Sequence, residues 1–128
     1  MEENMTIMEV IHRINTVKPN SYDQALKIKW LNTLDGTIKK EIIDTHEGAE
    51  NVVFNGYTEE SNLLTDLLVP APYDDIYIRY IEMQIDYANG EYGKYNNSKV
   101  MFNAAYSDFE KYYNREHMPL KRGKRFLF

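Results

Sequence analysis

The sequence predicts an all-α fold: a small helical bundle of about four helices with a long ordered loop and an extended C-terminal tail. Apolar residues recur at steps of three or four in four separate segments of the chain. Proline or glycine follows each of these segments, as expected where a helix ends. The length of 128 residues suits one domain. We therefore assign residues 1–118 to the helical bundle and residues 119–128 to the tail.

The first predicted helix begins at Thr6, where Thr6-x-x-Glu9 has the pattern of a capping box. Met5 and Val10 occupy the two positions of a hydrophobic staple around this cap. Pro19 ends the helix, because the residue before a proline avoids the helical conformation. One apolar stripe follows the helix and contains Ile7, Val10, Ile11, Ile14 and Val17.

The second predicted helix begins with another capping-box pattern, Ser21-x-x-Gln24. Gly36 lies in its interior, where glycine costs about 1 kcal/mol relative to alanine, so we expect either a bend or close packing there. We place the C-terminal end of the helix at residues 46–48, because Gly48 can adopt the left-handed conformation. The apolar face contains Ile28, Trp30, Leu31, Leu34, Ile38 and Ile42.

Residues 49–72 interrupt the helical period and form the predicted long loop. Asn55-Gly56 indicates a turn that closes a short extended segment. The second half of the loop is too apolar for a free linker, so we expect it either to fold back on the helices or to cover a neighbouring subunit. The candidate subunit-interface residues are Leu63, Leu64, Leu67 and Leu68.

The third predicted helix starts near Pro72, with Asp74 and Asp75 in its first turn. Its apolar residues cover nearly every face, which predicts a helix that is central or lies between subunits. A turn or cap at residues 96–98 precedes the fourth helix, which ends near residues 117–118. The chain contains 11 tyrosines, and we expect most of their rings to line the seams between helices.

No catalytic residue, metal ligand or cofactor is predicted, and we expect a protein that is not an enzyme. The absence of cysteine excludes disulfides, thiolate metal sites and a cysteine nucleophile. Glu9-x-x-His12 suggests a metal site, but di-iron bundles use two such motifs, and a capping glutamate beside a surface histidine explains the pattern better. No apolar run approaches the roughly 18 residues of a transmembrane helix.

The tail has the sharpest change of composition in the chain. Four cations lie at residues 121–125, and three large apolar side chains follow at residues 126–128. Such a segment gains free energy by docking, as an added strand or in an acidic groove. The alternative is a disordered, solubilising terminus. The predicted partner-binding residues are Leu120, Lys121, Arg122, Lys124, Arg125, Phe126, Leu127 and Phe128.

Charge is unevenly distributed along the chain. The net charge is −5 and the tail contributes +4, so residues 1–118 carry −9. An acidic body repels a phosphate backbone, which argues against general nucleic-acid binding. The basic tail is complementary to an acidic surface, such as that of a neighbouring copy of the chain.

Five segments stand out beside the basic and aromatic tail, and they are Trp30–Gly36, Thr45–Gly48, Leu67–Asp74, Gln84–Glu91 and Tyr95–Tyr106. Together with the tail they resemble small phage and prophage proteins of Firmicutes. These are similar to the head–tail connector, or adaptor, proteins of tailed bacteriophages. The resemblance covers about residues 6–128 and includes no catalytic motif.

The resemblance implies a structural virion protein. Connector proteins of this kind are helical bundles that form a ring, usually of twelve copies, beneath the portal vertex, and DNA passes through the ring without being read. Their C-terminal segments commonly contact the portal. The implied partners are the portal protein and a downstream neck or tail-completion protein, with no membrane contact. The implied location is the neck of a virion that is made in the host cytoplasm.

A different class of function is the alternative, namely a small cytoplasmic helical module that binds or regulates one protein partner. Portal and major capsid genes beside the gene for this chain would favour the connector. The mass of the protein at low and high concentration also separates the two, because a connector subunit is expected to oligomerise.

Overall fold

Four helices and a two-stranded sheet make up the computed structural model, which describes residues 3–120. The predicted all-α class with four helices is confirmed. The helices are α1 (Ile7–Val17), α2 (Gln24–Glu41), α3 (Asp75–Ala88) and α4 (Tyr92–Glu116). The strands are β1 (Asn4–Thr6) and β2 (Asp66–Pro70), and short 3-10 turns lie at Ile43–Thr45 and Ala49–Asn51.

The first turn of α1 confirms the predicted capping box. The hydroxyl of Thr6 accepts a hydrogen bond from the amide of Glu9 (3.1 Å), and the carboxylate of Glu9 accepts one from the amide of Thr6 (2.8 Å). Met5 and Val10 are both buried beside this cap, as a hydrophobic staple requires. The start of α1 is therefore determined by residues within five positions of one another.

The start of α2 differs from the prediction. Asp23, rather than Ser21, caps the helix, and its carboxylate accepts a hydrogen bond from the amide of Leu26 (3.0 Å). The side chain of Asn20 accepts a hydrogen bond from the amide of Tyr22 (3.1 Å), which holds the preceding residues in a turn. The predicted Ser21 capping box is therefore wrong, because this turn delays the helix and a carboxylate at its N-terminus also interacts favourably with the helix dipole.

The end of α2 differs as well, since the helix stops at Glu41 and a 3-10 turn replaces its predicted last turns. The hydroxyl of Thr45 donates to the carbonyl of Ile42 (2.8 Å), which satisfies one of the carbonyls that a helix end leaves free. The left-handed conformation predicted for Gly48 is confirmed by its φ of 89°.

Part of the predicted loop forms a strand. β2 pairs antiparallel with β1, and Asn4 lies opposite Pro70. Alternate residues of β2 enter the core, so Leu67 and Val69 are buried. The rest of the loop folds back on the helices, with Tyr57 buried among them.

α3 is the central element, as its apolar sequence predicts. It packs against α1, α2 and α4. The core forms around it, with contributions from all four helices and from β2. The largest fully buried side chains are Tyr77, Phe109, Ile7, Ile14, Ile28, Leu31, Ile38, Ile42, Leu67, Ile76, Ile81 and Ile85.

α4 begins earlier than predicted. The chain turns at Gly90, whose φ is 73°, and the helix then runs from Tyr92 straight through residues 96–98. The predicted turn or cap at these residues is wrong. The reason is tertiary, because the hydroxyl of Ser98 donates to the buried carboxylate of Asp86 in α3 (2.6 Å), a partner that exists only when the two helices pack.

The surroundings of Gly36 in α2 show how closely the loop packs on the helix. An added Cβ would lie 3.6 Å from the ring of Phe54, which confirms close packing and leaves room for a methyl group. We expect Gly36→Ala to raise the free energy of unfolding by about 0.5–1 kcal/mol, because alanine loses less backbone entropy in a helix. Urea unfolding followed by circular dichroism measures the change.

Gly48→Ala is the matched control for that substitution. The positive φ of Gly48 strains any L side chain, so this variant should be less stable than the wild type. A loss of stability in Gly36→Ala would contradict the room for a methyl group beside Phe54.

Candidate partner-docking site at the root of the tail

The C-terminal tail leaves the helical body at a fixed point. After α4 ends, the amide of Glu47 donates to the carbonyl of Met118 (2.8 Å), and the amide of Leu120 donates to the carbonyl of Thr45 (2.9 Å). These backbone bonds hold the first part of the tail against the segment that follows α2. We call this arrangement the tail root, and it comprises residues 45–47 and 117–120.

His46 ties the tail root to both helices that meet there. Its side chain is buried, and its Nδ1 donates to the carbonyl of Ile42 (2.6 Å). Its Nε2 lies 2.5 Å from the side-chain oxygen of Asn114 in α4. Its backbone lies opposite Pro119 in an isolated antiparallel bridge. One residue therefore joins the end of α2, the last turns of α4 and the start of the tail.

A layer of aromatic rings lies beneath the tail root. Tyr73 stacks on Tyr112 with ring centroids 4.6 Å apart, and Phe109 contacts Tyr113 at 5.7 Å. The ring of His117 stacks on Tyr113 at 4.0 Å. Each such pair contributes about 0.5–1.5 kcal/mol beyond the area it buries, so the tail starts from a rigid platform. The three tyrosines of this layer lie between the turn before α3 and the last turns of α4, which is one of the seams where tyrosine rings were expected.

Most of the predicted tail residues lie outside the part of the chain that is described. Leu120 is described and lies partly buried in the tail root. The predicted partner-binding residues outside the described part are Lys121, Arg122, Lys124, Arg125, Phe126, Leu127 and Phe128.

The four loop leucines predicted at a subunit interface divide between core and surface. Leu67 is buried within its own chain, so it cannot reach another subunit while the fold is intact. Leu63 and Leu68 are partly buried against the same core. Leu64 is 63% exposed and presents most of its side chain to solvent. The alternation of β2, which the prediction of a loop did not include, places Leu67 inside.

A buried carboxylate is the polar feature that the sequence prediction missed. Asp35 in α2 is fully buried, and it accepts hydrogen bonds from the hydroxyls of Tyr57 (2.6 Å) and Tyr77 (2.7 Å). The amide of Leu68 donates to it as well (3.1 Å). Burial raises the pKa of Asp35 to about 6, and the three hydrogen bonds limit the rise. The signal in the sequence was an acidic residue inside an apolar helical stripe.

Asp35, Glu9 and His12 differ in their accessibility and in what they contact. Asp35 has no contact with solvent, so a substrate cannot reach it. Glu9 is held by its capping box, and His12 is exposed. Within residues 3–120, no group of three or more histidines, aspartates or glutamates is placed to hold a metal ion. No helix in the same range is long and apolar enough to cross a membrane.

The pH dependence of stability tests the buried state of Asp35. Its pKa in the folded protein, about 6, lies above the ordinary value of 3.8, so the folded state binds a proton before the unfolded state does. The contribution of Asp35 to stability is therefore greatest below about pH 4, and it falls by about 3 kcal/mol as the pH rises through about 6.

Asp35→Asn removes this titration. We expect the difference in unfolding free energy between wild type and variant to change between about pH 4 and 7, in favour of the wild type at the acidic end. Urea titrations at several pH values measure the difference. A difference that stays constant over this range would show that Asp35 keeps an ordinary pKa.

His46→Ala tests the anchoring of the tail root. The substitution removes the imidazole that bonds to the carbonyl of Ile42 and to the side chain of Asn114, so it should cost about 1–3 kcal/mol. Hydrogen exchange at the amides of Glu47 and Leu120 should also become faster. His12→Ala removes an exposed histidine and is the control. Equal exchange at Leu120 in the two variants would rule out the anchoring role.

Comparisons with protein-family models, with curated proteins and with solved structures gave no match. The features that bear on function are therefore the tail root, the charge distribution and the sequence resemblance.

Proposed function

We propose that this chain is a structural virion protein, a head–tail connector subunit that forms a ring beneath the portal of a tailed phage and joins the capsid to the tail. The observation that carries the proposal is the tail root, from which a helical body presents a basic and aromatic segment. A protein that bridges two larger assemblies benefits from such an anchor, because a segment fixed at one end loses less freedom when it docks.

The segments that resemble connector proteins coincide with residues that hold the body together. Each of the five segments contains a residue with a tertiary hydrogen bond, and these residues are Asp35, His46, Leu68, Asp86 and Ser98. The resemblance therefore falls on contacts between helices. This supports a shared fold.

The charge distribution supports the same role. The net charge of −9 on residues 1–118 would repel DNA phosphates, which suits a channel that lets DNA pass without holding it. The tail, with a charge of +4 and two phenylalanines, carries the arginine and aromatic side chains that commonly anchor interfaces. The proposed partners are the portal protein above and a neck or tail-completion protein below, in a ring of twelve copies as in the family that the sequence resembles.

Removal of residues 121–128 should abolish portal docking and leave the body folded, because the tail root and the core lie within residues 3–120. Co-expression with the portal protein, followed by sedimentation of portal rings, measures docking. Circular dichroism and thermal unfolding measure the fold. Truncated protein that still sediments with the portal rings would contradict the role of the tail.

A control variant with the same change in net charge distinguishes the effect of losing the tail from the effect of a more negative protein. Lys99→Glu with Lys111→Glu changes the charge of two exposed positions on α4 and should leave docking intact. Electron microscopy of virions tests the proposal as a whole. A neck without density for this chain would refute the connector role.

A further inference from the structure

We propose that the outer face of α1, with the acidic residues around its first turn, is the docking site for tail residues 121–128 of a second copy of this chain. The inference rests on the proposed function and deepens it, because it names the contact that joins neighbouring subunits of the ring. Removal of the tail then abolishes portal docking because the ring that docks on the portal no longer forms.

The outer face of α1 carries an exposed apolar side chain at each end. Met8 in the first turn is 45% exposed, and Val17 in the last turn is 55% exposed. A shallow groove runs along this face past His12 and Thr16. Burial of apolar surface is worth about 25 cal/mol per Å², and methionine adapts its shape to a partner, so the face gains free energy when a chain covers it.

Carboxylates surround the N-terminal end of this groove. A second, polar depression adjoins it, since Met5, Glu9 and Arg13 line both. Four carboxylates and one guanidinium in this depression leave a local net charge of −3. We call the four carboxylates the acidic rim, and they are Glu3, Glu9, Asp66 and Asp74.

Two carboxylates of the rim, Asp74 and Glu9, lie close enough to interact. Burial raises the pKa of Asp74, and the negative charges of Asp75 and Glu9 act in the same direction, whereas Arg13 opposes them. An arriving cation would relieve this repulsion, so the rim favours a positively charged occupant.

The tail has the composition that this surface requires, in the matching order. Its four cations come first, at residues 121–125, and its three large apolar side chains follow at residues 126–128. The acidic rim likewise lies at one end of the apolar face of α1. A segment that places its cations on the rim can therefore continue with its phenylalanines along the groove.

A second copy is the occupant that the proposed ring requires, because a tail docked on its own body would leave neighbouring copies without this contact. The chain's own tail starts beside Thr45 at the end of α2, and α2 also packs against α1. Docking within one chain is therefore the competing arrangement, and a single chain that carries both cysteines distinguishes it from docking between copies.

Engineered cysteines test this contact directly, because the natural chain has none. Full-length Met8→Cys and Phe126→Cys are mixed in equal amounts, oxidised and separated by mass. We expect a disulfide-linked dimer of the two variants. The control is Met101→Cys mixed with Phe126→Cys, because Met101 is also a helical methionine and is 46% exposed, close to the value for Met8.

The control pair should give about tenfold less mixed dimer than the test pair, a difference of about 1.4 kcal/mol in effective affinity. Equal yields from the two pairs, or no mixed dimer at any concentration, would overturn the proposal. A single chain with both Met8→Cys and Phe126→Cys should form linked oligomers that decrease on dilution. Linked monomers that persist on dilution would mean that the chain's own tail occupies the groove, which also overturns it.

Charge reversal tests the rim independently. Lys121→Glu with Arg122→Glu should weaken self-association about tenfold at low salt, measured by sedimentation velocity. Glu3→Lys with Asp66→Lys changes two exposed rim positions that take no part in the helix cap, and it should weaken association similarly. A chain that carries all four changes should regain self-association, because the opposite charges again face each other. If the fourfold variant instead associates as weakly as the two separate losses of affinity added together, a direct contact is refuted.

A portal-binding assay distinguishes a failure of this contact between copies from a failure of the connector role. Specific cross-linking through Met8 with no binding to portal rings would leave the contact between copies in place and refute the connector role. Portal rings that assemble normally with Met8→Glu would refute the groove and leave the connector role in place.

Discussion

The buried carboxylate of Asp35 is the contact on which the arrangement of this bundle depends. It lies in α2 and joins the loop through Tyr57, β2 through the amide of Leu68 and α3 through Tyr77. A buried charge is costly, so it is compatible with the fold only while each of its partners stays in place. A shift of the strand or of either helix would leave a buried polar group unpaired, and the network therefore selects one packing.

A second buried carboxylate holds the opposite end of the bundle. Asp86 in α3 forms an ion pair with Lys18 after α1 (2.8 Å) and accepts a hydrogen bond from Ser98 in α4. These interior contacts leave the outer face of α1 and the tail root as surfaces on which assembly can act. The proposed contact joins two different surfaces, and such a contact generates a ring when it repeats from copy to copy and the rotation closes. The fold and the proposed connector role are linked in this way.

Short sequence patterns predicted the structure correctly where no other side chain competed for the same hydrogen bond. The capping box at Thr6 formed as predicted, and Gly48 took the left-handed conformation. The errors arose where a competing partner was present. Asp23 caps α2 in place of Ser21. Ser98 lies within α4 because its hydroxyl bonds to Asp86. The candidate site was predicted only as far as the composition of the tail, since its anchor at His46 depends on α4 folding back beside the end of α2.

The sequence by itself determined the helical class, the central position of α3, and the separation of a basic tail from an acidic body. Those properties follow from periodicity, caps and charge, which act between residues a few positions apart or by simple summation. Only the tertiary structure decided that Asp35 is buried, that Leu67 lies in the core while Leu64 faces solvent, and that the tail starts beside Thr45. Burial and pairing depend on residues that are distant in the chain, and no local pattern specifies which of them will meet.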